Sequence, residues 1–488
     1  MTDASKNATS LLQADVAIVG AGPCGLALAK GLTDLKYSVL VVEKEDGAKR
    51  TYDWSKAYTY RIDSRGAALI QRIGALENLN ANSVAYTGFR RLHWFRNGSF
   101  SQKTKRVEGS LGYWLQRPHL IQLLKDTIPN DILVEAEVKE ISFADESTKT
   151  ATLRLDTGIT IQAKYVFGCD GIKSIVRETL CKTDEAFNIH KVPSPSAGLV
   201  HRGTLIRPPL SLDPQENCTI LGPGGDHTTV ILSMLTVNGK AGELRPMGCA
   251  RHAHDPMFQT KTTEEFYAYM ETTFPQINAR ESIPIESAQA WIASEGATFP
   301  VPRWAGKALT LMKHGVLVGV LGDALHSFPP DLGLGVNSGL VDVNRLLDLM
   351  EQEQKEPSPE ASLQSRVNAL NTILVQEAEA ICRLIPIGMP YQYPIPHTLH
   401  KVMFYGGFLT RFLVHKWFES LSKWTPAGLF INPLYPPVVV QIQESPPLRF
   451  TTILQRHHHN TAVLWSAAVV LGATTVGWVF QRNRGTKA

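Results

Sequence analysis

The chain has 488 residues, 43% of them hydrophobic, and a formal net charge of +4. That length and apolar content support a large buried core divided into two or three lobes, and they exclude an intrinsically disordered chain. The charge is uneven, with nine Lys/Arg against two Asp/Glu from Lys401 onward; without an aromatic-interleaved basic patch this points away from nucleic acid and toward an anionic membrane surface.

The stretch Met1 to Gln13 is polar and has no apolar signal region, so the body of the protein is expected in the cytosol. An apolar, β-branched run, Val16 to Val19, then passes directly into Gly20, Gly22 and Gly25 and on into an Ala/Leu-rich segment, which is the order strand, tight turn, helix. Gly20 allows the turn, Gly22 lets backbone approach a pyrophosphate, and Gly25 lets helix and strand pack closely while the helix N-terminus offers N–H groups to the anion. A second strand, Ser38 to Val42, ends on Glu43, a carboxylate placed for the hydroxyls of an adenosine ribose. Strand, glycines and acid together predict dinucleotide binding.

A polar crossing from Lys44 to Asp63 leads to a helix over Arg65 to Ile73, with Ser64 as its cap and Gly74 as its stop. Alternating residues from Gly88 to Phe95 turn at Asn97-Gly98 into Ser99 to Val107, a hairpin signal. Arg117 opens a helix over His119 to Thr127, and strands are expected at Ile132 to Phe143, Thr150 to Leu155 and Ile159 to Phe167 around an Asp156-Thr157-Gly158 turn. Gly168 to Leu180 forms a second motif. From Asn188 to Ala297 short β runs alternate with Gly and Pro around one helical stretch, Thr262 to Phe274, and predict a separate sheet-based lobe.

The apolar strand Val316 to Leu321 runs into Gly322-Asp323 and, beyond Pro330, Gly333 and Gly335, into a helix beginning near Val336. A buried strand ending in an acid fixes a carboxylate at the sheet edge, where it can bind a polyol such as ribityl, and the two glycines admit a flat ring. The helix N-terminus would face that ring and stabilise negative charge on it, which favours FAD over NAD. Beyond Met350 come a charged linker (Glu351 to Glu360), helices over Ser362 to Leu384 and Thr398 to Ser422, and a Pro-rich stretch, Asn432 to Pro447. The 20 residues Thr461 to Phe480 carry no charge, have Trp465 and Trp478 near their ends and precede a basic tail, and they are expected to form a transmembrane anchor. The mitochondrial outer membrane is the favoured location and the endoplasmic reticulum the alternative.

The six cysteines contain no C-x-x-C pair, which fits a reducing compartment. His252, His254 and His457 to His459 lack the cysteine or carboxylate company of a metal site, so no metal is expected.

Gly20, Gly22, Gly25 and Glu43, then Cys169-Asp170-Gly171 with Arg177, then Gly322-Asp323 with Pro330, Gly333, Gly335 and Asn337 resemble the three fingerprints of the single-component FAD-dependent aromatic hydroxylases. Within that group the chain is most similar to the kynurenine 3-monooxygenases, a likeness that also covers Arg65-Gly66, Arg117, Pro433-Leu434-Tyr435 and the C-terminal segment. The resemblance implies an α/β fold: a Rossmann-like FAD-binding domain with an inserted β-sheet substrate lobe, C-terminal helices and a transmembrane helix. The expected division is 13–185 with a hairpin at 84–108 on the substrate side, a lobe at 186–300, the returning FAD-binding part at 301–352, a helical region at 353–455 and the anchor at 461–480.

The resemblance also implies roles. Glu43 would bind the adenosine ribose, Arg117 the diphosphate or ribityl region, and Asp323 the ribityl and pyrophosphate of a tightly bound FAD. Asp170 and Arg177 would support FAD and productive contact with NADPH, a transient cosubstrate because the chain holds a single G-x-G-x-x-G. Arg91 matches the arginine that grips the substrate carboxylate, and Asn337 a pocket asparagine. Two positions depart from the pattern, Lys105 where a pocket tyrosine is expected and Val341 where a carboxylate is expected. The implied reaction is hydroxylation of an aromatic or related apolar molecule by O2 added at flavin C4a, with no catalytic acid or base identifiable. Oxygenation of an isoprenoid or quinone precursor, and a flavin-bound membrane scaffold with little turnover, stay open as alternatives.

Overall fold

The computed structural model describes residues 10–44, 59–86, 89–105, 112–143, 149–208, 218–221, 229–232, 244–357, 359–393, 398–422, 434–444 and 446–485. Much of the polar crossing after Lys44 and part of the Pro-rich stretch before Pro447 lie outside them. The chain divides into two compact units, residues 1–386 with 390–395, and residues 387–389 with 396–488.

The first unit is organised on a twisted sheet whose neighbours run Leu309–Leu311, Leu317–Val320, Thr160–Gly168, Leu11–Val19, Val39–Glu43 and Leu133–Glu135. All its pairs are parallel except the first, which is antiparallel. Parallel strands buried on both faces read as continuous apolar runs, and Val16 to Val19 and Leu317 to Val320 are buried without interruption. Strands Val138–Ser142 and Ala151–Leu155 continue the sheet antiparallel from Thr160–Gly168. The expected single strand Ile132 to Phe143 is therefore two, because Leu133–Glu135 pairs with Val39–Glu43 while Val138–Ser142 pairs elsewhere.

Two helices that follow strands of this sheet cross closely. The helix Pro23–Asp34 packs against the long helix Gly335–Lys355, and a Cβ on Gly31 would stand 2.4 Å from Leu347 Cδ1, so the crossing is as close as a bare glycine permits. The helix Ser64–Arg72 packs on the same long helix, and its cap is Asp63, not Ser64: the Asp63 carboxylate accepts the N–H groups of Arg65 and Gly66. The charged linker is also shorter than expected, since helix persists to Lys355 and resumes at Glu360.

A seven-stranded sheet occupies the middle of the sequence, in the order Ala297–Thr298, Val200–Ile206, Arg245–Arg251, Thr229–Leu232, Cys218–Leu221, Phe89–Trp94 and Phe100–Lys105. The early hairpin thus joins the later strands, by parallel pairing of Cys218–Leu221 with Phe89–Trp94. One face of this sheet, through Val200, Ile206, Met247 and Cys249, buries Phe266 and Trp291 of the helices Thr263–Thr273 and Ile285–Ala293. Leu199 and Ala250 belong instead to a small cluster with Phe299, against which Tyr391 and Tyr393 pack.

In the second unit the helix Leu399–Ser422 accompanies the helix Phe450–Gly485. Among the described residues no helix is long and apolar enough to cross a membrane, which overturns the expected transmembrane anchor at 461–480 and the membrane location built on it. An uncharged run is not by itself an apolar one: Thr461, Ser466, Gly472, Thr474, Thr475 and Gly477 dilute it. The helix that carries it also starts eleven residues earlier, with Arg456 and His457 to His459 inside it. Its first half is a packing element, burying Phe450, Ile453 and Asn460; the Asn460 amide accepts the Tyr435 N–H and donates to the Tyr435 carbonyl, both at 2.8 Å.

Candidate functional site

The first motif is a backbone junction. Gly20 has φ +100°, and a Cβ there would stand 2.6 Å from the Cys169 carbonyl oxygen. A Cβ on Gly25 would stand 1.9 Å from the Gly20 carbonyl oxygen, whereas one on Gly22 meets nothing within 4 Å. Gly22 is the N-cap of the helix Pro23–Asp34 and supplies no capping side chain. The helix N-terminus therefore offers unfilled N–H donors beside open space, which suits a diphosphate. Glu43, at the end of the neighbouring strand, accepts the Ala21 N–H at 2.7 Å and so ties its carboxylate to this turn.

The second motif braces the third. Asp170 accepts the N–H groups of Ile175 and Val176, and burial raises its pKa against those bonds and one from Ser174. Arg177 is buried and donates to the Ala324 carbonyl at 2.7 Å and the Ile172 carbonyl at 2.9 Å. Arg303 donates to the same Ile172 carbonyl at 2.8 Å. A guanidinium with several rigid donors can hold two carbonyls at once, and Arg177 uses this to lock the residue after Asp323 to the second motif.

Within the third motif exposure alternates sharply. Asp323, Pro330 and Gly333 present open surface, while Ala324, Leu325, His326, Ser327, Asp331, Leu332 and Leu334 are buried. Gly333 has φ +64°, and a Cβ on Gly333 or Gly335 would meet nothing within 4 Å. The helix Gly335–Lys355 begins without a side-chain cap. The Asp323 side chain keeps solvent-facing surface but sits deep in protein, so burial raises its pKa against the pull of His326, Arg117 and Arg303. Arg117 also hydrogen-bonds Tyr60, whose phenol burial nevertheless pushes up to about 12. Cys24 belongs to the same neighbourhood: a Cβ on Gly322 or Gly339 would stand 2.8 or 2.6 Å from its Sγ.

The structure thus brings Gly20, Gly22, Gly25 and Glu43 to one turn, joins it through Cys24 to Asp323, and sets Arg117 beside that acid. Asn337 is placed differently from a ligand-facing amide. It is fully buried, accepts the Asp63 N–H at 2.9 Å, and donates to the carbonyls of Arg61 at 2.8 Å and Gly333 at 3.3 Å. Its amide links the strand before the Ser64 helix to the glycine loop. The backbone of Arg91 pairs with Lys103, and that of Lys105 with Phe89; the side chains of Arg91 and Lys105 lie outside the described residues. Tyr60, Arg303 and Cys24 carry no motif of their own, and only their neighbours in space mark them.

The open space over Gly22, Gly333 and Gly335, two uncapped helix starts and an acid at the sheet edge fit a flavin dinucleotide. A family model described as an FAD-binding domain matches residues 13–367. A rifampicin monooxygenase of Streptomyces venezuelae is 26% identical over 346 residues, 68% of this chain and 63% of that enzyme, so the chain spans less than two thirds of that relative's length. A 3-amino-4-hydroxybenzoate 2-monooxygenase of Streptomyces platensis is 24% identical over 370 residues, 70% of this chain and 81% of the enzyme. The fold is shared with p-nitrophenol 4-monooxygenase from Pseudomonas putida, with a TM-score of 0.56 and 16% identity over 81% of this chain and 92% of the other. It is shared also with 2-methyl-3-hydroxypyridine-5-carboxylic acid oxygenase, with a TM-score of 0.54 and 18% identity over 78% and 90%. The chain belongs to the family that this FAD-binding-domain model describes, and FAD is its cofactor.

Proposed function

We propose that the protein uses NADPH and O2 to hydroxylate an aromatic small molecule, in the manner of a kynurenine 3-monooxygenase. The observation that carries this reading is the third motif, where Asp323, Pro330 and Gly333 alone open outward from a buried run and a helix starts uncapped at Gly335. Bound FAD supplies electron transfer from the nicotinamide and activation of oxygen. The chain's own residues bind and orient: the Gly22 helix start takes the diphosphate, Glu43 the adenosine ribose, and Asp323 with Arg117 the ribityl region. The N–H groups at Gly335 stabilise negative charge on the ring edge. Asp170 and Arg177 hold the second motif against the third, so that a transient NADPH meets a rigid surface.

Relatives named for 3-amino-4-hydroxybenzoate and for 3-(3-hydroxyphenyl)propionate favour an aromatic acid as substrate, and Arg91 is the residue we assign to its carboxylate. Lys105 and Val341 replace a phenol and an acid in the kynurenine-type pattern, so the amino-acid end of kynurenine lacks two partners, a costly loss in a dry pocket. The test is to purify the chain with FAD and follow NADPH consumption, hydrogen peroxide release and product mass with kynurenine, other aromatic acids and isoprenoid quinones. Product carrying one added oxygen from an aromatic acid is the expected result. NADPH oxidation that no aromatic compound stimulates would defeat the proposal.

A further inference from the structure

The histidine run His457 to His459 lies outside the flavin motifs. With Arg411 it forms a basic cluster wholly within the second unit, on the helices Leu399–Ser422 and Phe450–Gly485. Arg411 Nη2 donates to the Thr461 hydroxyl at 3.2 Å, and that hydroxyl donates to the His457 carbonyl at 3.0 Å. The guanidinium is therefore seated on the helix turn that carries His457. Arg411 Nη1 passes over Gly407, where a Cβ would stand 3.3 Å from it. Neighbouring bases turn elsewhere: His459 meets the Tyr435 ring, Arg456 lies over that same ring, and His415 Nδ1 donates to the Leu434 carbonyl at 2.8 Å.

The cluster has no counter-charge. From Lys401 onward the only acids in the sequence are Glu419 and Glu444, and each is engaged with another base, Glu419 with Lys416 at 2.6 Å and Glu444 with Arg456 at 3.5 Å. No carboxylate acts on Arg411, whose pKa is lowered by burial alone. Beside it, burial and then the charges of Arg411 and His458 bring the His457 pKa down to about 4. A half-buried guanidinium without a counter-charge is costly, because hydration is removed and no anion replaces it. Its Nε is closed to water and unbonded among the described residues. Nη1 and the His457 ring are unbonded there too, but they are not closed off, and Thr461 and His458 keep surface beside them. Open donors around an unbalanced cation suit an anion arriving from solvent. We propose that Arg411 and His457, with His458 at the rim, bind the phosphate group of a phosphate monoester, and that Thr461 holds the guanidinium in place for it. The guanidinium fork matches phosphate oxygens, and the imidazole adds a donor from the second helix. A planar carboxylate meets the fork but has no third oxygen for the imidazole. Soluble phosphate esters and phospholipid headgroups both present this group, and the test separates them.

The test uses the full-length, FAD-loaded protein, so that the flavin's own diphosphate site is filled. Inorganic phosphate, glycerol 3-phosphate and dihexanoylphosphatidic acid are the probes in isothermal titration, with chloride at matched ionic strength to control for screening. Inorganic phosphate should bind the wild type and raise its melting temperature. R411Q should weaken binding by about tenfold or more, the usual effect of losing a hydrogen bond to a charged group, and H457A should also weaken it, with helix content unchanged by circular dichroism. T461V should lose less, since the guanidinium keeps its charge but not its seat. Tighter binding of phosphatidic acid than of glycerol 3-phosphate assigns the site to a lipid headgroup; equal or weaker binding assigns it to a soluble ester. A wild type that binds none of the three probes overturns the proposal. So does a phosphate affinity unchanged in both R411Q and H457A, which would place the anion elsewhere. Where R411Q does not fold, R411K takes its place, because it keeps the charge and loses the fork, and unchanged affinity in R411K and H457A is the same refutation.

Discussion

His326 Nε2 lies 2.7 Å from Asp342 Oδ2, with both side chains closed to solvent. The same carboxylate oxygen accepts the Gly322 N–H at 3.2 Å. The pair pins the end of the strand that presents Asp323 to the second turn of the Gly335 helix. Burial alone would lower the His326 pKa, but the charge and hydrogen bond of Asp342, with a contribution from Asp323, raise it above the usual value.

A histidine raised on folding contributes stability that is fully present below its unfolded pKa of about 6.5 and is lost as pH rises through the folded value. D342N removes the partner and leaves burial to dominate. We expect it to cost roughly 3–5 kcal/mol near pH 6 and distinctly less near pH 9. Urea unfolding at the two pH values measures this, and equal losses at both would contradict an ionised pair.

The last two glycines of the first motif should fail in different ways. Gly25→Ala forces its methyl to 1.9 Å from the Gly20 carbonyl oxygen, so the turn must open and folded yield should collapse. Gly22→Ala meets nothing in the protein and should fold with a near-normal melting temperature. Its methyl enters the space over the helix start, so FAD affinity should fall about tenfold or more, the equivalent of about 1.4 kcal/mol. Flavin fluorescence titration and thermal unfolding separate the two.

Asn337→Ala leaves the Asp63 N–H and the Arg61 carbonyl without their buried partner. We expect a loss of about 3 kcal/mol or more, from two stranded groups at roughly 1–3 kcal/mol each. Asn337→Asp can still accept the N–H but cannot donate to the carbonyls, so it should not rescue. Denaturant midpoints at constant slope would check both variants.

Arg177→Lys should be an imperfect replacement. A single ammonium cannot reproduce the rigid fork that spans the Ala324 and Ile172 carbonyls. Stability should fall by about 1–2 kcal/mol, and FAD affinity should fall with it because Ala324 follows Asp323 in the chain. Matching losses in the urea midpoint and in flavin titration would confirm the brace; unchanged affinity would refute it.

The first strand, its glycines and Glu43 were legible in the residues because the pattern that marks them lies within about thirty positions. The strand before Asp323 was legible for the same reason, as an unbroken apolar run closed by an acid. The pairing of the hairpin with Cys218–Leu221 could not be read, since no local pattern names a strand's neighbour. The 461–480 run misleads because an uncharged stretch is not thereby an apolar one, and because the helix that contains it begins at Phe450, among buried residues.

Local order in the chain by itself determined which segments are strands and helices around the three motifs, and that one of them offers a helix start to an anion. Tertiary structure alone decided what each polar side chain does. Asn337 meets Asp63 across 274 positions, Asp331 meets Ser196 across 135, and Arg177 meets Ala324 across 147. Turn and helix preferences are set by neighbours within a few residues, whereas a buried hydrogen bond is chosen by whichever partner packing brings within 3 Å, and sequence distance places no limit on that choice.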